Sequence, residues 1–330
     1  MKNIFVLLTP LHLEIIKIIS LEHNLNLNNS VVYYNQYVSK DTLTKLFGQD
    51  STLINVPEGN ISFKEFLIGP IKQLVHLRTL FNKFHNVLSN TLSSEASYNL
   101  YMGSDKDVFT QLLVTYLQPK GLNTVYAFDE GTGYYKSHKS IDKVLSIIYK
   151  WFSKSLFGYK LRYVSVLGDS PWIDVIYARN PSKVSAQGKK VIKINFKSSI
   201  DFSKKKRDKV LIITSPFSED GVIKANDEIS FYSSVIQKSL QSFSEVDIKC
   251  HPRETIEKYQ NVTGKIKFLD ASAPAETLDF SEYARIINFG SSVILYLIES
   301  GYEASQIDTY IIGRKVRLSD IFNKTNIINL

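Results

Sequence analysis

The densest chemistry in the sequence lies in Phe128-Asp-Glu-Gly-Thr-Gly133, where adjacent carboxylates, Asp129 and Glu130, follow the β-prone run Val125 to Phe128. A carboxylate at the end of a strand can take a proton from a substrate hydroxyl. Burying both would be costly unless each is hydrogen-bonded or used. Gly131 and Gly133, flanking Thr132, let the backbone turn sharply and approach a ligand without a Cβ in the way. The same triplet also suits a plain surface turn, and it is the company of two further motifs that favours chemistry.

His251-Pro252-Arg253 follows the strand-like run Val246 to Cys250. The proline fixes the exit of the chain, the arginine adds a permanent positive charge, and the imidazole can donate to a phosphate oxygen on a departing nucleotide. A purely structural histidine fits the same position. Gly290-Ser291-Ser292 separates the strand-like run Arg285 to Phe289 from a helix at Val293 to Ser300. Its amides and hydroxyls suit a phosphate seat at a helix N-terminus, and its serines equally suit helix capping; both roles can coexist.

These motifs need elements to hold them, and the chain alternates strand and helix signals from its start. Ile4 to Leu8 reads as a buried strand, Thr9-Pro10 as a turn and Leu11 to Leu21 as a helix. Strands at 30–34, 51–56 and 98–102, with helices at 41–47, 71–92 and 108–117, continue the pattern into the acidic strand. A parallel sheet follows, with ligands at the carboxyl edge of its strands. Asn180 to Gly188 has linker composition and Lys204 to Arg207 is a charge run, so the domain change is expected there: 1–185 carries the acidic motif, 186–330 the other two. The second half repeats the alternation, with strands at 210–214, 246–250, 266–269 and 285–289, helices at 231–243 and 293–300, and a helical stretch around Ala275 to Tyr283. Tyr310 to Ile312 reads as a last strand.

With 330 residues and 44% hydrophobic content, the chain can bury the cores of two domains. A net charge of +8 favours anionic partners, phosphates or an acidic membrane among them. No nucleic-acid motif accompanies that charge, so nucleic acid is not an expected partner. The single cysteine, Cys250, excludes an internal disulfide and fits a reducing, cytoplasmic compartment. The opening residues read as a first strand, not a signal peptide, and no apolar run reaches the roughly 18 residues of a membrane span. From Tyr134 to Tyr163 lysines interleave with aromatics, among them Lys143, Lys150, Lys154, Trp151 and Phe152. That pattern fits a helix lying on an anionic membrane through Ile147, Ile148, Trp151 and Phe152. It also fits an ordinary helix with its apolar side on the core.

Taken together, Phe128-Asp-Glu-Gly-Thr-Gly133, His251-Pro252-Arg253 and Ser291-Ser292 resemble, in order and spacing, the motifs of the bacterial sialyltransferases, specifically glycosyltransferase family 52. The resemblance implies an α/β fold of GT-B type, two Rossmann-like domains facing a central cleft. It implies an acceptor side on the first domain, with Gly131, Thr132 and Gly133, and a nucleotide-sugar side on the second. Ser215, Pro216, Pro252, Arg253, Gly290, Ser291 and Ser292 are the implied nucleotide-side residues. The implied reaction is inverting, metal- and cofactor-independent transfer of sialic acid from CMP-sialic acid to a galactose of a bacterial surface glycan, a lipooligosaccharide or capsule. Asp129, Glu130 and His251 are implied to be catalytic, and Asp220, with Glu219 beside it, rivals the acidic motif as general base.

Other functional classes share these features. A transferase using another nucleotide sugar could carry the same motifs, and so could a non-catalytic glycan- or nucleotide-binding protein of polysaccharide assembly. Peripheral attachment at the inner membrane follows from the basic segment if its apolar side faces lipid. The oligomeric state, a homodimer included, stays open.

Overall fold

The computed structural model describes residues 1–57, 70–92, 97–130, 132–135, 147, 150, 151, 153, 154, 161–195, 207–254, 256–259, 264–271, 273–291, 293–299, 301–311 and 314–316. The chain forms two compact units, Met1–Asn195 and Phe196–Leu330, each built on its own sheet.

In the first unit β1 (Lys2–Leu7), β2 (Val31–Tyr34), β3 (Thr52–Asn55), β4 (Tyr98–Met102), β5 (Leu122–Phe128), β6 (Val175–Ala178) and β7 (Lys190–Lys193) form a parallel sheet in the order β3-β2-β1-β4-β5-β6-β7. The order reverses between β1 and β4, the Rossmann switch point where ligands gather at the carboxyl ends. The central strands are buried on both faces, so Ile4 to Leu7 and Val31 to Tyr34 are continuous apolar and aromatic runs without polar alternation, and Tyr98 to Met102 is one that Asn99 alone interrupts. The unit's helices include α1 (Pro10–His23), α2 (Lys40–Phe47), α3 (Pro70–Thr91) and α4 (Val108–Leu117). Helix α1 starts on Pro10, whose fixed φ suits a first turn, and buries Leu13, Ile15, Ile16 and Ile19. Ser39 and Asp107 cap α2 and α4 by accepting from Thr42 and Thr110 N–H.

Strands β6 and β7 carry only weak sequence signals. Strand β6 has four residues, too few to show a period, and β7 is a half-exposed edge that begins and ends on lysine. The expected domain change between 185 and 186 falls in the loop before β7.

The second unit repeats the plan. Its strands β8 (Arg207–Ile213), β9 (Glu245–Lys249), β10 (Ile266–Phe268), β11 (Tyr283–Asn288), β12 (Ile307–Ile311) and β13 (Arg314–Val316) are ordered β10-β9-β8-β11-β12-β13. All pair in parallel except β12 with β13. Its described helices include α5 (Ala225–Ser242) and α6 (Val293–Glu299). Val210, Ile212, Val246 and Ile248 from the sheet pack with Tyr232 and Ile236 of α5 and with Tyr259, Cys250 and Phe289. The helix expected around Ala275 to Tyr283 is instead two short 3-10 turns, Ala275–Thr277 and Phe280–Glu282. Leu278 is extended, and Asp279 restarts the chain by accepting from Ser281 N–H, after which Tyr283 already belongs to β11.

Candidate functional site

In the first unit, Asp129 and Glu130 leave the end of β5 in different environments. Asp129 is fully buried. The guanidinium of Arg179, from the end of β6, donates Nε to Asp129 Oδ2 at 3.1 Å and Nη2 to Oδ1 at 3.2 Å. The Arg179 backbone N–H and the Tyr135 hydroxyl donate to Oδ2 as well. A carboxylate so enclosed is compensated but withdrawn from any substrate.

Glu130 keeps a quarter of its side chain accessible (25%). Its Oε2 lies 3.1 Å from Nε2 of His12, a buried residue in the first turn of α1. The His12 ring meets the edge of Phe128 and lies against Gly103, at the end of β4. Asp107 stands at the same edge, between Gly103 and α4. Burial, with the charge of Glu130 adding to it, raises the Asp107 carboxyl to about 6. Tyr134, wholly buried in the 3-10 turn Thr132–Tyr135, donates its hydroxyl to Gly103 C=O at 2.6 Å and so ties the acidic turn to β4. Thr132 and Gly133 belong to that turn, and Gly131 lies outside the described residues.

In the second unit, the expected residues gather at the carboxyl edge of β8, β9 and β11, again around a switch point. His251 follows β9. Its Nδ1 accepts from Arg253 N–H at 3.2 Å, so the neutral ring carries its proton on Nε2. Burial and the charge of Arg253 pull the imidazole down to about 4, which makes His251 a neutral donor near pH 7. Its backbone N–H donates to Glu254 Oε2 at 2.9 Å. Glu254 is buried, also takes the Thr214 hydroxyl and, at 2.7 Å, that of Tyr259, and burial raises its carboxyl. It locks the His-Pro turn to the end of β8.

Ser215 and Pro216 lie after β8. The Ser215 hydroxyl donates to Phe289 C=O across the switch point, and Pro216 C=O accepts from Asp220 N–H at 2.9 Å. Buried Glu228 of α5 accepts from Phe217 and Ser218 N–H and from Lys258, which also holds Glu219. Asp220 is exposed and grasped by Arg253 at 2.6 and 3.3 Å. Its carboxylate therefore faces a permanent cation, whereas that of Glu130 faces a histidine. Pro252 is half-buried beside Arg253.

Gly290 adopts φ +73°, a left-handed conformation that a Cβ would strain. Ser291 N–H donates to Asn288 Oδ1 at 3.1 Å, and Ser291 Oγ accepts from Val293 N–H at 3.4 Å. The capping reading of Ser291 is thus realised, and its hydroxyl proton remains for a phosphate oxygen. Ser292 lies outside the described residues. Among the described residues no group of three or more His, Cys, Asp or Glu side chains is placed to hold a metal ion. No described helix is long and apolar enough to cross a membrane.

Sequence reasoning missed His12, Arg179 and Glu254. His12 follows Thr9-Pro10 at a strand end, much as His251 follows β9, and that echo was the available signal. Arg179 and Glu254 gave none, because their meaning depends on pairings 50 and 40 residues away, with Asp129 and Thr214.

A family model described as alpha-2,8-polysialyltransferase (POLYST) matches residues 17–299. An uncharacterized protein of Haemophilus influenzae is 32% identical over 108 residues, a stretch that is 32% of this chain and 32% of that protein. The match thus spans about a third of that relative's length. A crystal structure of a sialyltransferase from Photobacterium damsela is similar over 99% of this chain and 80% of its own, with 11% identity and a TM-score of 0.51. A GT-B domain of a sialyltransferase from Photobacterium damselae aligns over 92% of this chain and 89% of its own, with 11% identity and a TM-score of 0.47. At such identity the likeness speaks for the fold alone, which is of the GT-B class.

Proposed function

Because the chain belongs to the alpha-2,8-polysialyltransferase family, we propose that it transfers a sialyl group from CMP-sialic acid to a hydroxyl of a bacterial surface glycan, with inversion, and that Glu130 is the general base. The observation that carries this reading is the division of labour at the end of β5. Asp129 is enclosed by Arg179, while Glu130 is accessible and, among the described residues, is bound on one oxygen by a histidine.

In this reaction Glu130 takes the acceptor hydroxyl proton as that oxygen bonds to the sialyl anomeric carbon. The bond from that carbon to the phosphate oxygen breaks, its electron pair stays on oxygen, and CMP departs. The transition state is oxocarbenium-like and its leaving group is a single phosphate. The neutral Nε2–H of His251 would donate to that phosphate, with the Ser291 hydroxyl proton in support. These donors match the modest charge of one phosphate, so no step is assigned to a metal.

The family description favours a sialic acid as acceptor, an α-2,8 bond being one to its 8-hydroxyl. A galactose end, the acceptor implied by the motif resemblance, is the second reading. Measuring CMP release from CMP-sialic acid with galactosides and sialylated glycans in parallel separates the two. Release with neither, together with calorimetric binding of UDP or GDP in preference to CMP, overturns the donor.

Work on a lipid-linked glycan suits a protein at the cytoplasmic face of the inner membrane. The support for this is the helical stretch at Ile147, Lys150, Trp151, Ser153 and Lys154, in which Ser153 is buried and the other four are exposed.

A further inference from the structure

We infer that His12 is a positioning residue for the general base, holding Glu130 through an Nε2–H donor whose tautomer the backbone of residue 8 dictates. Nδ1 of His12 lies 3.0 Å from Leu8 N, and an amide N–H can only donate. Nδ1 must therefore present its lone pair. The neutral ring then carries its single proton on Nε2, 3.1 Å from Glu130 Oε2, and donates it.

The rest of the surroundings fixes the ring itself. Leu8 to His12 is the strand-to-helix turn of the first unit, closed by His12 N–H on Thr9 C=O at 3.1 Å and by Pro10 at the start of α1. The ring is buried, its side chain only 1% exposed, so it cannot itself reach a substrate. A Cβ at Gly103 would stand 2.5 Å from both Cε1 and Nε2, so β4 needs glycine here to admit the imidazole.

The consequence concerns the carboxylate. With Oε2 occupied by the histidine proton, Oε1 is the oxygen presented to an acceptor hydroxyl. The donor remains in place whether Glu130 is ionised or has just taken a proton, because a carboxylic acid still accepts. His12 thus selects one oxygen and one rotamer of the base while exchanging no proton with the substrate. This rests on the proposed role of Glu130.

Two substitutions divide the two ring nitrogens. The amide oxygen of His12→Asn can replace Nδ1 as acceptor for Leu8 but cannot reach Glu130, whereas the amide nitrogen of His12→Gln can replace Nε2 as donor. His12→Asn should lower kcat by about 10² while leaving the KM for CMP-sialic acid within about twofold, as expected of a misplaced base. His12→Gln should recover most of that loss. Equal kcat in the two folded variants, or a change confined to KM, overturns the inference. If either variant fails to fold, 15N-histidine NMR of the unsubstituted protein decides: an Nε2–H resonance of His12 that shifts in Glu130→Gln supports it, and a proton on Nδ1 overturns it. Glu130→Gln also separates the two readings. Full turnover in that variant removes the base, whereas an inactive Glu130→Gln beside indistinguishable His12 variants removes only the inference.

Discussion

Arg179 grips Asp129 through Nε at 3.1 Å and Nη2 at 3.2 Å, with both side chains buried, so one of the two adjacent carboxylates is structural. Asp129→Asn leaves a buried guanidinium without its counter-charge and should cost about 3 kcal/mol of stability, the lower end for breaking a buried pair. Glu130→Gln keeps its shape at a partly exposed position and should unfold within about 0.5 kcal/mol of the unsubstituted protein, while losing at least about 10²-fold in turnover. Urea denaturation beside CMP-release assays checks both halves. An Asp129→Asn protein that is stable but inactive would exchange the two roles.

His251 follows with a pH dependence of definite sign. Its folded-state value of about 4 lies below the ordinary histidine value, so the folded state binds fewer protons between the two. The stability tied to the neutral ring is therefore whole above about pH 6.5 and is lost as pH falls toward 4. His251→Gln should remove that dependence, narrowing the loss between pH 7 and pH 4 by about 1 to 2 kcal/mol after allowing for partial exposure. Turnover of His251→Ala, which has no donor in that place, should fall by roughly 10²-fold at pH 7. Denaturation curves that shift identically with pH in both proteins would contradict the buried neutral ring.

Asp107 has the opposite sign. Its carboxyl, raised to about 6, is protonated in the folded state before it is in the unfolded chain. Its ionisation therefore weakens the fold as pH rises from about 4 through 6, and the cost persists at neutral pH. Asparagine caps a helix about as well as aspartate. Asp107→Asn should thus be more stable than the unsubstituted protein at pH 7.5, by about 1 kcal/mol, with the gain vanishing near pH 4. Thermal melts at the two pH values measure the difference, and a loss of stability at pH 7.5 would show that the charge supports α4 more than burial penalises it.

How much of this was legible in the sequence depends on the range of the interactions involved. Asp129 and Glu130, His251 and Pro252, and Ser291 stand just past strand ends as their local patterns imply, because strand runs and turn residues are short-range signals. The switch-point order of each sheet is non-local, since β1 lies between β2 and β4, and no periodicity states that neighbourhood. The same limit separates Asp129 from Glu130. Adjacent and chemically alike, they are told apart chiefly by Arg179 and His12, 50 and 118 residues away. Ser291 shows the converse: its capping bond to Val293 is local, and the cap reading was available from the sequence.

Gly103 tests the packing that seats His12. Gly103→Ala places a methyl carbon 2.5 Å from two ring atoms and 3.1 Å from Phe128, so the imidazole must move. Overpacking of this kind costs about 1 to 3 kcal/mol. Turnover should fall by at least about tenfold, because the base moves with the ring. The control is His12→Gln with Gly103→Ala, in which the slimmer amide should recover part of both losses. Unchanged activity in a stable Gly103→Ala protein would mean that the ring has room the structure does not show.

The last prediction concerns Ile147 and Trp151, which stand one helical turn apart and are each 70% exposed, with exposed Lys150 and Lys154 on the same stretch. Large apolar side chains at such exposure argue against the alternative in which this face packs on the core. Each lysine near an anionic bilayer contributes about 1 kcal/mol, and tryptophan favours the headgroup region. The protein should therefore sediment with anionic vesicles at low salt and be released as salt screens the charges. Lys150→Gln with Lys154→Gln should weaken that binding by about thirtyfold, and Trp151→Ala should weaken what remains at high salt. Neutral vesicles provide the contrast. If they bind the protein as well as anionic ones do, or if the lysine pair can be removed without effect, the segment faces something other than a charged membrane.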